Sequence, residues 1–145
     1  MLKEGDKAPS FCLPSDSRKV CLSDFKGKKI VLYFYPKDDT AGCTIEGIDF
    51  TKLLNEFKKK NTVVLGVSKD SVDSHCSFKE KHSLSVELLS DDSSVCEKYD
   101  SFGNKGIFGL GVKRNTFLID ENGKIKKIWK NVIPIGHAHQ VLESI

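Results

Sequence analysis

The chain has 145 residues, of which 39% are hydrophobic and 30% charged, and its 23 Lys+Arg against 20 Asp+Glu leave a net charge of +3. That is the size of one compact domain, 1–145, too apolar for a disordered chain and without the strongly basic face of a nucleic-acid reader. No apolar run reaches the roughly 18 residues of a membrane span, and the opening Met1–Asp6 has no apolar stretch of a signal peptide, so a cytoplasmic protein without membrane or nucleic-acid partners is expected.

In chain order, the first 27 residues read as a short β lead-in, with a brief strand at Val20–Leu22 closed by the turn residues Ser23–Gly27. Ile30–Tyr35 is an apolar, aromatic-rich run stopped by Pro36, which predicts a buried strand. A polar loop, Lys37–Gly42, leads to a helix starting near Cys43, along which Phe50, Leu53, Leu54 and Phe57 form an i, i+3, i+4, i+7 stripe. Lys58–Lys60 suit the negative end of its dipole. Thr62–Val67 is a second buried strand, so strand, helix and strand make a right-handed parallel crossover. Helices are expected over about Val72–His82, Ser93–Tyr99 and Ala138–Ser144. Between the last two, the strands Asn115–Asp120 and Lys124–Trp129 flank the hairpin turn Glu121-Asn122-Gly123. This order predicts an α/β, thioredoxin-like fold: a central mixed β-sheet flanked by helices on both faces.

The cysteines stand at 12, 21, 43, 76 and 96, with no CxxC pair and no zinc-finger spacing. An odd number without an export signal predicts free thiols in a reducing compartment, with Cys12 and Cys21 as buried or idle thiols around a hairpin. Cys43 is placed where a buried strand has ended and a helix starts, among the unpaired N–H groups and positive dipole end that favour a thiolate. Glu46 falls close to the apolar stripe of the same helix. A carboxylate there needs a cationic partner, so the helix start should face a polar pocket holding an Arg. His137 and His139, two apart at a helix start, diverge and are not expected to share a metal.

Tyr35-Pro36-Lys37-Asp38-Asp39-Thr40-Ala41-Gly42-Cys43-Thr44-Ile45-Glu46 resembles the active-site loop of peroxiredoxins, whose Pro-x-x-x-Thr/Ser-x-x-Cys pattern is met by Pro36, Thr40 and Cys43. The string is similar to the bacterioferritin comigratory protein, or peroxiredoxin Q, branch, with Ala41 where most members have Pro. Gly5–Phe11, Val20–Lys28, Gly66–Ser71 and Arg114–Asp120 extend the resemblance over nearly the whole chain. It implies reduction of hydrogen peroxide and organic hydroperoxides, no cofactor or metal, a monomer, and thioredoxin or a similar thiol as reductant. Cys43 would be the peroxidatic thiolate. Thr40 would turn its hydroxyl to the thiolate and peroxide, Arg114 would polarise the O–O bond, Pro36 would shield the pocket, and Glu46 would orient Arg114. Where many members carry a resolving Cys five residues after the first, this chain has Ile48. Cys76, about one turn earlier than the position used by a second subgroup, is the leading candidate, Cys96 a weaker one, and a one-cysteine cycle with an outside thiol remains open.

The rival readings lack their signatures. A glutathione-peroxidase-like enzyme needs Gln and Trp near its Cys, and a thioredoxin-type oxidoreductase needs CxxC, with Thr40 standing where the first Cys would be. A redox sensor or holdase would use the same thiol without turnover.

Overall fold

The computed structural model describes residues 1–145. Strands β1 (Cys12–Pro14) and β2 (Lys19–Cys21) form an N-terminal hairpin, followed by β3 (Lys29–Phe34), helix α1 (Ala41–Lys59), β4 (Thr62–Ser68) and α2 (Val72–His82). Then come β5 (Glu87–Ser90), a one-turn α3 (Val95–Lys98), a second hairpin of β6 (Phe102–Asn104) and β7 (Leu110–Val112), β8 (Thr116–Ile119), β9 (Ile125–Trp129) and α4 (His137–Glu143). The central sheet runs β5-β4-β3-β8-β9. β3, β4 and β5 are parallel, while β8 is antiparallel to both β3 and β9. This is the mixed sheet expected from the order of elements.

Two cores lie on the two faces of the sheet, because alternate residues of a strand point to opposite sides. On one face, Val31, Tyr33, Tyr35, Val64 and Leu118 pack against Phe50 and Phe57 of α1, Phe78 of α2 and Val141 of α4, and Cys43 belongs to this layer. On the other, Ile30, Leu32, Phe34, Leu65 and Phe117 pack against Leu13 and Val20 of the N-terminal hairpin and Val95, Cys96 and Tyr99 around α3. At Gly66 of β4 the first core leaves no room for a side chain. A Cβ there would lie 2.7 Å from the ring of Tyr33 and 2.8 Å from Leu88. Tyr33 uses that space to stack on Phe50, ring centroids 4.6 Å apart.

Helix α1 starts two residues before Cys43, so Cys43 is its third residue, and its first i to i−4 bond runs from Thr44 N to Thr40 O at 2.9 Å. Phe50 and Phe57 are fully buried, as the stripe requires, and Leu53 and Leu54 half-buried. β5 and the β6–β7 hairpin are additions to the sequence expectation. Their strands span only three or four residues, two with a central Gly, too short to show an alternating pattern. The expectation of free thiols at Cys12 and Cys21 is corrected: they form a disulfide. The physical reason is register, since Cys12 and Cys21 are direct partners across the antiparallel β1–β2 ladder. His137 is buried, with Nε2 2.8 Å from Thr116 Oγ1, whereas His139 is exposed.

Candidate active site

The loop between β3 and α1 and the residue before β8 meet at the C-terminal edge of the central strands, the usual location of sites in α/β sheets. β3 ends at Phe34, whose N–H is held by Asn115 O at 2.8 Å, so the loop after β3 and the segment bearing Arg114 are fastened side by side. Arg114 is fixed at its own carbonyl, which accepts from Val132 N at 2.8 Å. The neighbouring Asn115 is buried and clamps Ser101 through Nδ2 at 3.0 Å and Asn131 N through Oδ1 at 3.0 Å.

From that anchor the guanidinium reaches over the first turn of α1. Nη1 donates to Glu46 Oε1 at 2.9 Å and Nη2 points to Cys43 Sγ at 3.5 Å. Gly42 makes the approach possible: a Cβ at this position would stand 3.0 Å from both Arg114 Nη2 and Pro134 Cγ. Cys43 is only 2% exposed and Glu46 is 0% exposed, while the Arg114 side chain keeps 16%. The guanidinium is therefore the polar link between the buried thiol and solvent. It lines a cleft of about 770 Å³ together with Pro36, Thr40, Gly42, Lys105, Phe108 and Lys113.

Burial pushes the Glu46 carboxyl up to about 7, although Arg114 pulls it back down, and Glu46 Oε2 is buried without a hydrogen-bond partner. Burial pulls the Arg114 guanidinium down, but the adjoining Cys43 and Glu46 outweigh it and hold it above its ordinary range. So the helix register demanded a cation for Glu46, and the fold supplies Arg114.

Thr40 departs from expectation. It occupies the N-cap position of α1 but is exposed, and its hydroxyl donates to Lys37 O at 2.8 Å rather than to Cys43. Its extended backbone (φ −92°, ψ 157°) puts that carbonyl, three residues back, within reach of the hydroxyl. Pro36 is half-buried at the cleft wall. Cys76 lies exposed on α2, on the same side of the sheet as Cys43. Cys96 is sealed in the opposite core, and burial pushes its thiol well up. The sheet separates it from Cys43, which removes the basis for Cys96 as a partner.

The polar clamp on the loop was not foreseen. Asp38 Oδ2 lies 2.7 Å from His75 Nδ1 and accepts from Ser74 Oγ at 2.7 Å, and its Oδ1 accepts from Tyr35 Oη at 2.6 Å. His75 Nε2 faces Leu89 O at 3.0 Å, and Asp70 Oδ2 accepts from Asp38 N at 2.9 Å and Ser68 Oγ at 2.6 Å. Burial raises the Asp38 carboxyl, but the bonds from His75, Tyr35 and Ser74 prevail and hold it below its ordinary range. Asp39, with φ 60°, adds an outer tie to Lys81 Nζ at 2.7 Å and His82 Nε2 at 2.8 Å. Asp38, Asp70 and His75 bring three ligand-type atoms within 4.8 Å of one another. These atoms are engaged by the protein's own hydrogen bonds, so the cluster works as a clamp between the loop and α2. The signal for it in the sequence was an Asp-Asp pair before the helix and a His at positions 75 and 82, seven apart on one helical face.

The AhpC/TSA family model matches residues 4–128. Peroxiredoxin Bcp of Bacillus subtilis is 44% identical over 146 residues, covering 97% of this chain and 93% of the relative. A cysteine-to-serine mutant of Xylella fastidiosa PrxQ superposes with TM-score 0.95 at 38% identity, covering 99% of this chain and 95% of that one. The bacterioferritin comigratory protein of Xanthomonas campestris, solved as trapped intermediate and ligand complexes that bear on its alkyl peroxide reduction activity, gives TM-score 0.87 at 40% identity over 92% of this chain and 88% of that one.

The raised Glu46 carboxyl makes stability pH-dependent. Its folded pKa of about 7 lies above the unfolded value, about 4.3, so the folded state binds the extra proton. Stability from this group is fullest below the unfolded value and falls as pH rises through about 7. Glu46→Gln should remove this slope: the difference in unfolding free energy between variant and parent, from urea titrations at pH 4.5 to 8, is expected to grow with pH by on the order of 3 kcal/mol. A pH-independent difference would contradict the burial argument.

Proposed function

This chain belongs to the AhpC/TSA family and is a peroxiredoxin, a thiol peroxidase that reduces hydroperoxides, and we propose that Cys43 is its peroxidatic nucleophile. The observation that carries the assignment is the Arg114 fork, with one arm on Cys43 Sγ and the other on Glu46. Of the three free cysteines, Cys43 alone is the thiol at a helix start with a guanidinium aimed at it.

In the reaction the Cys43 thiolate attacks the outer oxygen of ROOH. The O–O bond breaks, Cys43 becomes a sulfenic acid, and the RO⁻ fragment leaves as an alcohol, or as water when R is hydrogen, after taking a proton. Charge therefore moves from sulfur to the departing oxygen. Arg114, touching sulfur at the cleft wall, is placed to stabilise both ends of that transfer. Its charge does not vary over the working pH range. Thr40 joins by rotating its exposed hydroxyl from Lys37 O toward the substrate, and Pro36 closes the wall against bulk water. Glu46 touches no reacting atom; it is a positioning residue acting through Arg114.

For the second half of the cycle, Cys76 is the resolving candidate, attacking the Cys43 sulfenic sulfur with loss of water to give a disulfide. A disulfide needs Cα atoms within about 7 Å, and Cys76 faces solvent while Cys43 is buried in the first turn of α1, so that turn must unwind to present Cys43 to it. The clamp brackets Cys76: Asp38 grips Ser74 and His75 just before it, and Asp39 grips Lys81 and His82 after it. Opening this clamp, its exposed outer tie first, frees the loop for that step. Thioredoxin or a similar dithiol would then return both thiols. The one-cysteine alternative, in which an outside thiol attacks the Cys43 sulfenic sulfur with loss of water and a second thiol releases Cys43 from the mixed disulfide, predicts full turnover without Cys76.

Cys43→Ser should abolish peroxide consumption while leaving the unfolding midpoint close to that of the parent. Arg114→Ala should slow oxidation of Cys43 by about 100- to 1000-fold, read by stopped-flow with hydrogen peroxide; an unchanged rate overturns its role. Cys76→Ser should accumulate a dimedone-reactive sulfenic acid at Cys43 after one equivalent of peroxide. Immediate return to thiol with a dithiol reductant, at the parent's rate, would show instead that Cys76 is dispensable.

A further inference from the structure

The Cys12–Cys21 bond lies outside the peroxidase site. The hairpin that carries it packs through Leu13 and Val20 on the face of the sheet opposite the Cys43 layer, so neither sulfur can serve Cys43 in the folded protein. Cys12 is exposed and Cys21 half-buried. The hairpin does not depend on the bond. Leu13 and Val20 are fully buried partners in register, Leu22 N donates to Phe11 O at 3.0 Å, and Ser15 N donates to Arg18 O at 2.8 Å. Opening the bond therefore leaves the two sulfurs facing each other, ready to close again.

Cys12 also borders a groove of about 750 Å³ with an apolar floor of Phe11, Leu22, Phe25 and Ile30. Lys7, Lys26, Lys28 and Lys98 line it and none forms an ion pair. Of the acidic residues nearby, Glu121 pairs with Lys29 at 3.2 Å, Asp120 Oδ1 accepts from Asn122 N and Lys124 N, and Asp24 Oδ2 accepts from Cys21 N at 2.9 Å. With four lysines against the carboxylates of Asp120 and Glu121 on its wall, the groove is net positive beside the exposed Cys12.

We propose that Cys12 and Cys21 form a second redox centre, a surface dithiol–disulfide couple that exchanges with a small carboxylate-bearing thiol of the glutathione class. The thiolate of that thiol attacks Cys12 Sγ, the Cys12–Cys21 bond breaks, and Cys21 leaves as a thiolate and takes a proton from water. A second thiol attacks the mixed disulfide at the sulfur of the first, releasing Cys12 as the other thiol. Two electrons and two protons pass to the protein and two small thiols become one disulfide; the reverse, with the small disulfide as oxidant, closes the bond. Attack is directed to Cys12 because it is the more exposed residue of the pair and the one on the groove wall, and the lysines draw the anionic thiol to it. The couple works without peroxide and does not rest on the Cys43 assignment.

The test uses Cys43→Ser/Cys76→Ser protein equilibrated at neutral pH in mixtures of reduced and oxidised glutathione, acid-quenched, alkylated and mapped by mass. Positions 12 and 21 are expected to pass from disulfide to dithiol as the mixture becomes reducing, with no change in the circular dichroism of the fold. Adding Cys21→Ser should trap one glutathione on Cys12. Lys26→Glu/Lys28→Glu should slow opening by glutathione about tenfold and leave opening by the cationic thiol cysteamine no slower. A bond that glutathione opens only in denaturant, or that never forms in excess oxidised glutathione, overturns the proposal, and equal slowing with cysteamine overturns the choice of an anionic thiol. Unsubstituted protein mapped in the same mixtures gives the same readout should the double variant fold poorly.

Discussion

A buried carboxylate with one partner governs this molecule. Glu46 has no exposure, one oxygen on Arg114 and the other on nothing. Such a charge is costly unless paired and hydrogen-bonded, and without Arg114 the carboxyl, already raised to about 7 by burial, would take up a proton and not stay ionised. The cost is what keeps Arg114 where it is. A long flexible side chain that could wave in the cleft is instead drawn over the first turn of α1, past a glycine with no Cβ, and comes to rest against Cys43 Sγ. The same buried carboxylate both fixes the geometry of the site and weakens the fold as pH rises toward neutrality.

The clamp at Asp38 and Asp39 works in the opposite sense. With Cys43 as the proposed peroxidatic thiol, it must hold the loop before Cys43 firmly while thiol meets peroxide, and then let go if Cys43 is to reach a second sulfur. Its inner half is buried and fully hydrogen-bonded; its outer half, Asp39 with Lys81 and His82, is exposed and so screened by salt. Asp39 sits in the left-handed backbone region, where a non-glycine residue carries strain. A segment with one strong tie and one weak, strained tie is suited to opening from its outer end.

Much of this was legible in the residues. The aromatic β3 run, the α1 stripe and the β8–β9 hairpin turn each carry a periodicity of their own, and together they impose the thioredoxin-like order. Glu46 on the apolar stripe required a cation, and the family resemblance of the Arg114–Asp120 stretch pointed to which one. Three features were not legible. The Cys12–Cys21 bond depends on the register of two three-residue strands, which no periodicity fixes. The Asp38–His75 tie joins residues 37 apart, and the Asp-Asp pair and the two histidines of α2 that mark its ends do not say which partners meet or that they are buried. The orientation of the Thr40 hydroxyl is settled by a single nearby carbonyl at Lys37, within the reach of any threonine in that backbone.

The central claim is that Glu46 affects the chemistry only through Arg114. It is tested most directly by a double-mutant cycle on the second-order rate of Cys43 oxidation, with Glu46→Gln, Arg114→Ala and the two combined. The account predicts that Glu46→Gln slows the parent but has no further effect once Arg114 is gone, so the combined variant reacts at the rate of Arg114→Ala. Effects that multiply would mean that the two side chains act independently and would contradict it.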